Sequence, residues 1–178
     1  MQKLRKVLVY IKEDILLVLL VALFFTFIMS HNEIPSDSMV TNINVGDHIF
    51  VNMLPYYYRS PERGEIVVFD GPDGFKWIKR VVGMPGETVD IIDGNVYIDG
   101  EKLDESAYLN GEGYSSPDPR FVSVVFPYTV PEDSYFLMGD NRLSSDDSRY
   151  YGAFKEERIT GKALIRIYPF NNIGKLKQ

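Results

Sequence analysis

One uninterrupted apolar run, Ile15 to Met29 (ILLVLLVALFFTFIM), constrains this chain more than any other feature. It carries no charge and no proline, and as a helix its 15 residues would span roughly 22 Å. Three structures accommodate it. A helix apolar on every side is hard to bury inside a domain of this size. A cleaved secretory signal also begins with basic residues ahead of an apolar stretch, but the exit, FIMSHNEIPS, offers no Ala-x-Ala-like site. An uncleaved membrane anchor is the reading favoured over both. Adding Ser30, His31 and Asn32 at the exit and Val7 to Ile11 at the entry brings the stretch close to the ~30 Å of a bilayer core.

Charge follows the same division. Residues 1–30 contain Lys3, Arg5, Lys6 and Lys12 against Glu13 and Asp14, a net of +2; residues 31–178 hold 15 basic and 23 acidic side chains, a net of −8. Basic residues ahead of a span place the N-terminus in the cytoplasm and the rest outside. The expected organisation is therefore a cytoplasmic N-terminus (1–14), an anchor (15–31) and an extracytoplasmic domain (32–178). The total of −6 argues against nucleic acid as a partner. Cysteine is absent, which excludes disulfide scaffolds, cysteine nucleophiles and thiolate metal sites. Two histidines, His31 and His48, are too few for a multi-histidine metal centre.

Beyond residue 40 no long helical period appears. Short apolar runs are predicted as strands: His48–Val51, Glu65–Phe69, Phe75–Val82, Thr88–Ile92, Asn95–Ile98, Phe121–Phe126, Ser134–Met138 and Lys162–Ile167. Turn signals separate them, and Asp93-Gly94 between Ile92 and Asn95 marks a tight hairpin. One short helix is expected near Phe154–Arg158. The spacing predicts a mainly β domain of antiparallel sheets or a partly open barrel. Asp104–Pro119, rich in Gly, Ser, Pro and Asp, reads as a long, mobile surface loop within a variable insertion at 101–134.

Three stretches carry chemistry. Ile34-Pro35-Ser36-Asp37-Ser38-Met39 places two serines two residues apart; taken alone it is a turn. In Phe75–Val82, alternation puts Phe75, Trp77, Lys79 and Val81 on one face and Lys76, Ile78, Arg80 and Val82 on the other. Lys79 thus stands in an apolar row, where burial lowers a lysine pKa, as a lysine general base requires. A lysine snorkelling past the aromatics to water fits the same pattern. Gly139–Arg149 (GDNRLSSDDSR) is a polar loop whose acids do not match the EF-hand spacing of a Ca²⁺ site.

Together and in this order, PSDSM (35–39), VGDHIFVN (45–52), RGEIVVF (63–69), KRVVGMPGE (79–87) and GDNRLSSDDSR (139–149) resemble the type I signal peptidases, Ser/Lys enzymes that remove signal peptides from exported proteins. The resemblance is to the short bacterial members with one N-terminal span. It implies Ser38 as nucleophile, Lys79 as general base, Ser36 with the Ser38 N–H as oxyanion hole, and Ser145 as the serine that hydrogen-bonds and orients the lysine. It implies Asp147 and Arg149 as a structural ion pair near the site, with Asp140 a further acidic position. Pockets for small substrate side chains would fall to Ile34, Met39, Ile43, Ile49, Val68, Trp77 and Ile78. The implied partners are preprotein signal peptides and the lipid bilayer, and no metal or organic cofactor is called for. Asp37 departs from the Gly or Glu common there and sets a negative charge beside an oxyanion site unless it points outward. Thr41-Asn42 replaces a common Pro-Thr. These departures leave a catalytically impaired or substrate-dedicated relative as the alternative, a chaperone or processing factor for a surface-fibre protein. Met53–Arg59 could lie on the membrane interface as an aromatic belt, or pack as loop.

Overall fold

In the computed structural model, which describes residues 2–40, 42–109, 115–116 and 124–178, the apolar run from Ile15 to Phe27 lies within α1 (Gln2–Phe27). The helix ends earlier than the expected anchor boundary at residue 31. Met29, Ser30 and His31 belong instead to strand β1 (Met29–Glu33), which pairs antiparallel with β2 (His48–Asn52) from Met29↔Asn52 to Glu33↔His48. Ladder hydrogen bonds to β2 outcompete one more helical turn at these polar residues. Among the described residues no helix is long and apolar enough to cross a membrane.

The remaining strands are β3 (Ile66–Asp70), β4 (Lys76–Gly83), β5 (Thr88–Ile92), β6 (Asn95–Ile98), β7 (Glu101–Lys102), β8 (Tyr128–Thr129), β9 (Ser134–Met138), β10 (Phe154–Lys155), β11 (Ile159–Tyr168) and β12 (Gly174–Lys175). All pairings are antiparallel. The larger sheet runs β1-β2-β11-β3-β4-β9-β10, with β12 added to β11; the smaller runs β7-β6-β5-β8. The predicted hairpin forms with Ile92 opposite Asn95, and its turn needs positive φ at Asp93 (49°) and Gly94 (77°).

Two expectations are corrected. Phe154–Arg158 is not a helix: Phe154 and Lys155 pair with β9, and Glu156–Arg158 form one 3₁₀ turn. The helical turn is α2 (Ser148–Tyr151), nucleated where the Asp147 carboxylate accepts the Arg149 N–H. Val124–Phe126 form no strand, and residues 121–123 lie outside the described residues. The expected surface loop 104–119 is also only partly described, without 110–114 and 117–119, yet its Tyr108, Leu109 and Ser115 are buried.

Strand β3 is buried on both faces, which explains its unbroken apolar sequence. Ile66 and Val68 join a core cluster with Ile34, Met39, Ile43, Ile49 and Ile78. Val67 and Phe69 join a second cluster with Val81, Leu137 and Phe154. The sheet therefore has a core on each side, and β4, beside β3, inherits that double burial.

A buried carboxylate ties the segment after β2 to this sheet. Glu65 accepts hydrogen bonds from Tyr56 Oη (3.0 Å), Arg59 Nη2 (2.6 Å), the Glu62 N–H (3.1 Å) and Lys162 Nζ (2.6 Å). Burial pushes its carboxyl up, but these donors outweigh burial and hold it at about 2. The contribution is present above the ordinary value of 4.5 and is lost as pH falls through about 2. Glu65→Gln should cost about 3 kcal/mol of unfolding free energy at neutral pH. Denaturant unfolding should show the parent losing this advantage over the variant as the pH drops; equal stability at pH 7 would contradict the assignment.

Candidate active site

Ser38 and Lys79 arrive at one point from different elements. Ser38 sits in a turn closed by the Val40 N–H donating to Asp37 O (3.0 Å) and the Ile43 N–H donating to Met39 O (2.9 Å). Met39 and Ile43, both fully buried, pin that turn to the core. Lys79 lies on β4 opposite Val67. Both functional side chains are buried, 6% exposed for Ser38 and 4% for Lys79. Lys79 Nζ is 2.8 Å from Ser38 Oγ and donates to Ile78 O at 3.1 Å.

Burial pushes the Lys79 amino group down, from 10.5 to about 8. Asp147, Asp146 and Asp140 pull it back up, while Arg149 adds to the lowering. The Trp77 ring, 5.3 Å from Nζ, also favours the charged form, so loss of water contact outweighs every neighbour that would keep the ammonium. A neutral amine accepting from a hydroxyl at 2.8 Å is the arrangement in which a lysine removes the proton of a serine nucleophile.

The alternation read from the sequence places Trp77, Lys79 and Val81 on one face, with Val67 and Phe69 opposite them. It does not distinguish Arg80, which is fully buried on the other face. Arg80 donates through Nε (2.8 Å) and Nη2 (2.7 Å) to Asp140, and to Gly64 O (2.6 Å) and Lys177 O (3.0 Å). Its guanidinium stacks 4.0 Å from the Tyr108 ring. Asn42 Nδ2 donates to Asp140 Oδ2 (2.7 Å) and to Tyr108 O (2.7 Å). An alternating strand read for one solvent face hides such a residue, because both faces of this strand are interior.

The 139–149 loop forms the other wall. Asp147 and Arg149 are a fully buried pair (Nε–Oδ1 2.8 Å), and Asp147 also accepts the Gly139 N–H (2.9 Å). Arg149 donates onward to Arg142 O (2.7 Å), Ser115 O (3.1 Å) and Ser145 O (3.2 Å). Arg142, which the sequence reading did not single out, pairs with Glu105 and donates to Ser115 Oγ (2.6 Å), joining the insertion to the loop. At Gly139 a Cβ would lie 2.2 Å from Ser145 Oγ and 2.4 Å from Ser38 O, so only glycine permits this approach. The Asn141 N–H donates to Ser38 O (3.0 Å), stitching the loop to the Ser38 turn.

A cleft of about 570 Å³ opens between these walls. Pro35, Ser36, Asp37 and Ser38 line it on one side, Trp77, Ile78 and Lys79 on another, and Leu143, Ser144, Ser145 and Asp146 on a third. Ser36 Oγ is 3.4 Å from Ser38 Oγ. The Asp37 carboxylate accepts from Ser144 Oγ (3.0 Å) and its carbonyl from Asn141 Nδ2 (3.1 Å). Ser145 Oγ is buried with no hydrogen-bond partner, so the bond to Lys79 implied by the resemblance is not formed. Of the expected pocket residues, Trp77 and Ile78 line the cleft, whereas Ile34, Met39, Ile43, Ile49 and Val68 are packed in the core. The histidines lie apart, on β1 and β2, with His31 Nε2 and His48 Nδ1 2.8 Å from each other. Among the described residues no group of three His, Cys, Asp or Glu side chains is arranged to hold a metal ion.

A buried lysine that must carry charge is a cost to the fold. The cost is full below about pH 8 and fades as the pH rises toward 10.5, where the unfolded chain also releases the proton. Lys79→Met should therefore raise the unfolding free energy near pH 6 by up to about 3 kcal/mol, with the gain shrinking at alkaline pH. Urea unfolding at both ends of that range checks this; a variant less stable than the parent near pH 6 would contradict it.

A family model described as "Signal peptidase, peptidase S26" matches residues 7–168. The chain is 37% identical over 158 residues to "Probable signal peptidase I-2" of Synechocystis sp., covering 85% of this chain and 68% of that protein. It is 34% identical over 176 residues to "Signal peptidase I S" of Bacillus subtilis, covering 97% of this chain and 95% of the relative. A crystal structure of a signal peptidase I from Enterococcus faecalis is 35% identical, covers 58% of this chain and 97% of its own, and superposes with a TM-score of 0.48.

Proposed function

The chain belongs to the signal peptidase, peptidase S26, family and is a serine peptidase; from that premise we propose that it removes signal peptides from exported preproteins with Ser38 as nucleophile and Lys79 as base. The observation that carries this reading is the buried 2.8 Å contact between Lys79 Nζ and Ser38 Oγ. Neutral Lys79 takes the hydroxyl proton as Ser38 Oγ attacks the scissile carbonyl carbon. The oxyanion is held by Ser36 Oγ and the Ser38 N–H. Collapse breaks the C–N bond, Lys79 returns the proton to the leaving amine, and the signal peptide remains as an ester on Ser38. Lys79 then takes a proton from water, whose oxygen attacks the ester; the bond from the acyl carbon to Ser38 Oγ breaks, Lys79 returns the proton to Ser38 Oγ, and the signal peptide leaves with a free carboxyl group. Ser145 lines the same cleft, with its buried Oγ left unpartnered among the described residues. Asp140 paired with Arg80, and Asp147 with Arg149, keep the walls in register. The Asp37 carboxylate lines the cleft and is turned toward the 139–149 loop by Ser144 Oγ.

Substrate binds as an added strand. Strand β4 meets β9 only from Arg80 onward, so among the described residues the Lys76–Lys79 stretch has a ladder partner on one side, β3. The open side faces the cleft. The packed core under Ile78 leaves little depth there, which favours small side chains in a small-x-small pattern before the cut.

Membrane anchoring through α1 is part of the same proposal. Consecutive residues Ile15 to Val21 are between 48% and 66% exposed, so every side of the helix is apolar and none is covered by the body. A bilayer is the solvent that such a surface fits. The positive N-terminus keeps to the cytoplasm and the catalytic domain lies outside. Tyr57 and Tyr58, 71% and 85% exposed, suit the interface.

Ser38→Ala and Lys79→Met should each abolish cleavage of an Ala-x-Ala preprotein in detergent micelles while circular dichroism shows an intact fold. Ser36→Ala should lower kcat by roughly 10²-fold, the cost of one oxyanion donor. Substantial turnover by either dyad variant would overturn the mechanism.

A further inference from the structure

Strand β12 and the three residues after it form a strap along β11, outside the lining of the cleft, and each of the three makes a separate contact. Leu176, 5% exposed, enters the core cluster that holds Ile34 and Met39 from the Ser38 segment and Ile66 and Ile78 from β3 and β4. Its N–H donates to Leu164 O at 3.1 Å. The Lys177 carbonyl accepts from Arg80 Nη2 at 3.0 Å, and Arg80 is the immediate neighbour of Lys79. The Gln178 amide accepts from the Ile66 N–H (3.0 Å) and donates to Ala163 O (2.9 Å). That amide sits where direct pairing of β3 with β11 ends at Lys162↔Val67. It bridges the two strands as a backbone peptide unit would, and Ile66 lies opposite Arg80 on β4.

Ser38 and Lys79 come from segments far apart in sequence, and no ladder joins those segments directly. A proton transfer between them needs their separation held to a fraction of an ångström. The strap touches both: Leu176 packs in the core with Met39 of the serine turn, Lys177 O accepts from Arg80 on the lysine strand, and Gln178 clamps β3, the neighbour of that strand, to β11. None of its three residues falls in a motif that pointed to the site. We propose that Leu176 and Gln178 are positioning residues for the Ser38–Lys79 pair, and that the strap sets the geometry of the reaction from outside the cleft. This rests on the dyad reading above.

Steady-state kinetics on the full chain in detergent tests it, with the folded fraction measured in the same samples. Leu176→Ala and Gln178→Ala should each lower kcat per folded molecule by about tenfold, with KM changed less than about twofold. Each should also raise the midpoint of the kcat/KM–pH profile by about half a unit, because a shifted Ser38 turn admits water to Lys79. Leu176→Met, which keeps the volume, should restore the parent values, and Lys175→Ala, an exposed neighbour, should leave them unchanged. A purely structural tail would lower the melting temperature of the alanine variants yet leave their kcat per folded molecule and pH midpoint at parent values, and that result overturns the proposal. Cleavage that survives Ser38→Ala overturns the dyad reading and this one with it. Parent-like turnover by both alanine variants, in a chain that does need Ser38, overturns only the positioning role.

Discussion

The contact between Lys79 Nζ and Ser38 Oγ depends on keeping an amino group away from water, and much of the domain serves that end. Acids close enough to favour the ammonium surround Lys79, so a site built from charge alone would hold it protonated. Burial reverses the balance and leaves the group at about 8. The double-sided core makes this burial available. With β3 covered on both faces, the neighbouring β4 carries a lysine inward at a point where no solvent face exists.

Rigid walls follow from two buried arginine–carboxylate pairs. Arg80 with Asp140 fixes the lysine strand to the loop after β9, and Arg149 with Asp147 fixes that loop to itself. Neither carboxylate is held by its arginine alone: Asn42 and the Gly139 N–H supply further donors. Such pairs repay their desolvation only when the remaining lone pairs are satisfied, as they are here. Gly139 then lets the loop come close enough for Ser145 to stand beside the Ser38 turn.

How much of this was legible in the sequence depends on whether the signal is local. The Asp93-Gly94 hairpin and the strands Thr88–Ile92, Asn95–Ile98 and Ser134–Met138 were readable because alternation and turn chemistry act over a few residues. Lys79 was readable as the odd member of an apolar row. Arg80 was not, since alternation presumes one wet face and β4 has none. Two-residue strands such as Phe154–Lys155 carry too few residues to show a period, and the helical turn at Ser148 is set by the Asp147 cap rather than by apolar spacing. The contacts of Glu105, Tyr108, Leu176 and Gln178 left no local trace. Partners such as Arg142 for Glu105, Asn42 and Arg80 for Tyr108, Met39 for Leu176 and Ile66 for Gln178 lie tens of residues away, and only the topology brings them together.

The central claim is that Lys79 is neutral enough near physiological pH to act as a base beside Ser38. Its side-chain carbon resonance, followed by NMR in selectively labelled chain in micelles and assigned by comparison with Lys79→Met, reports that charge without passing through catalysis. The account predicts a titration of Lys79 centred near 8. A Lys79 signal centred near the ordinary lysine value of 10.5 would contradict it.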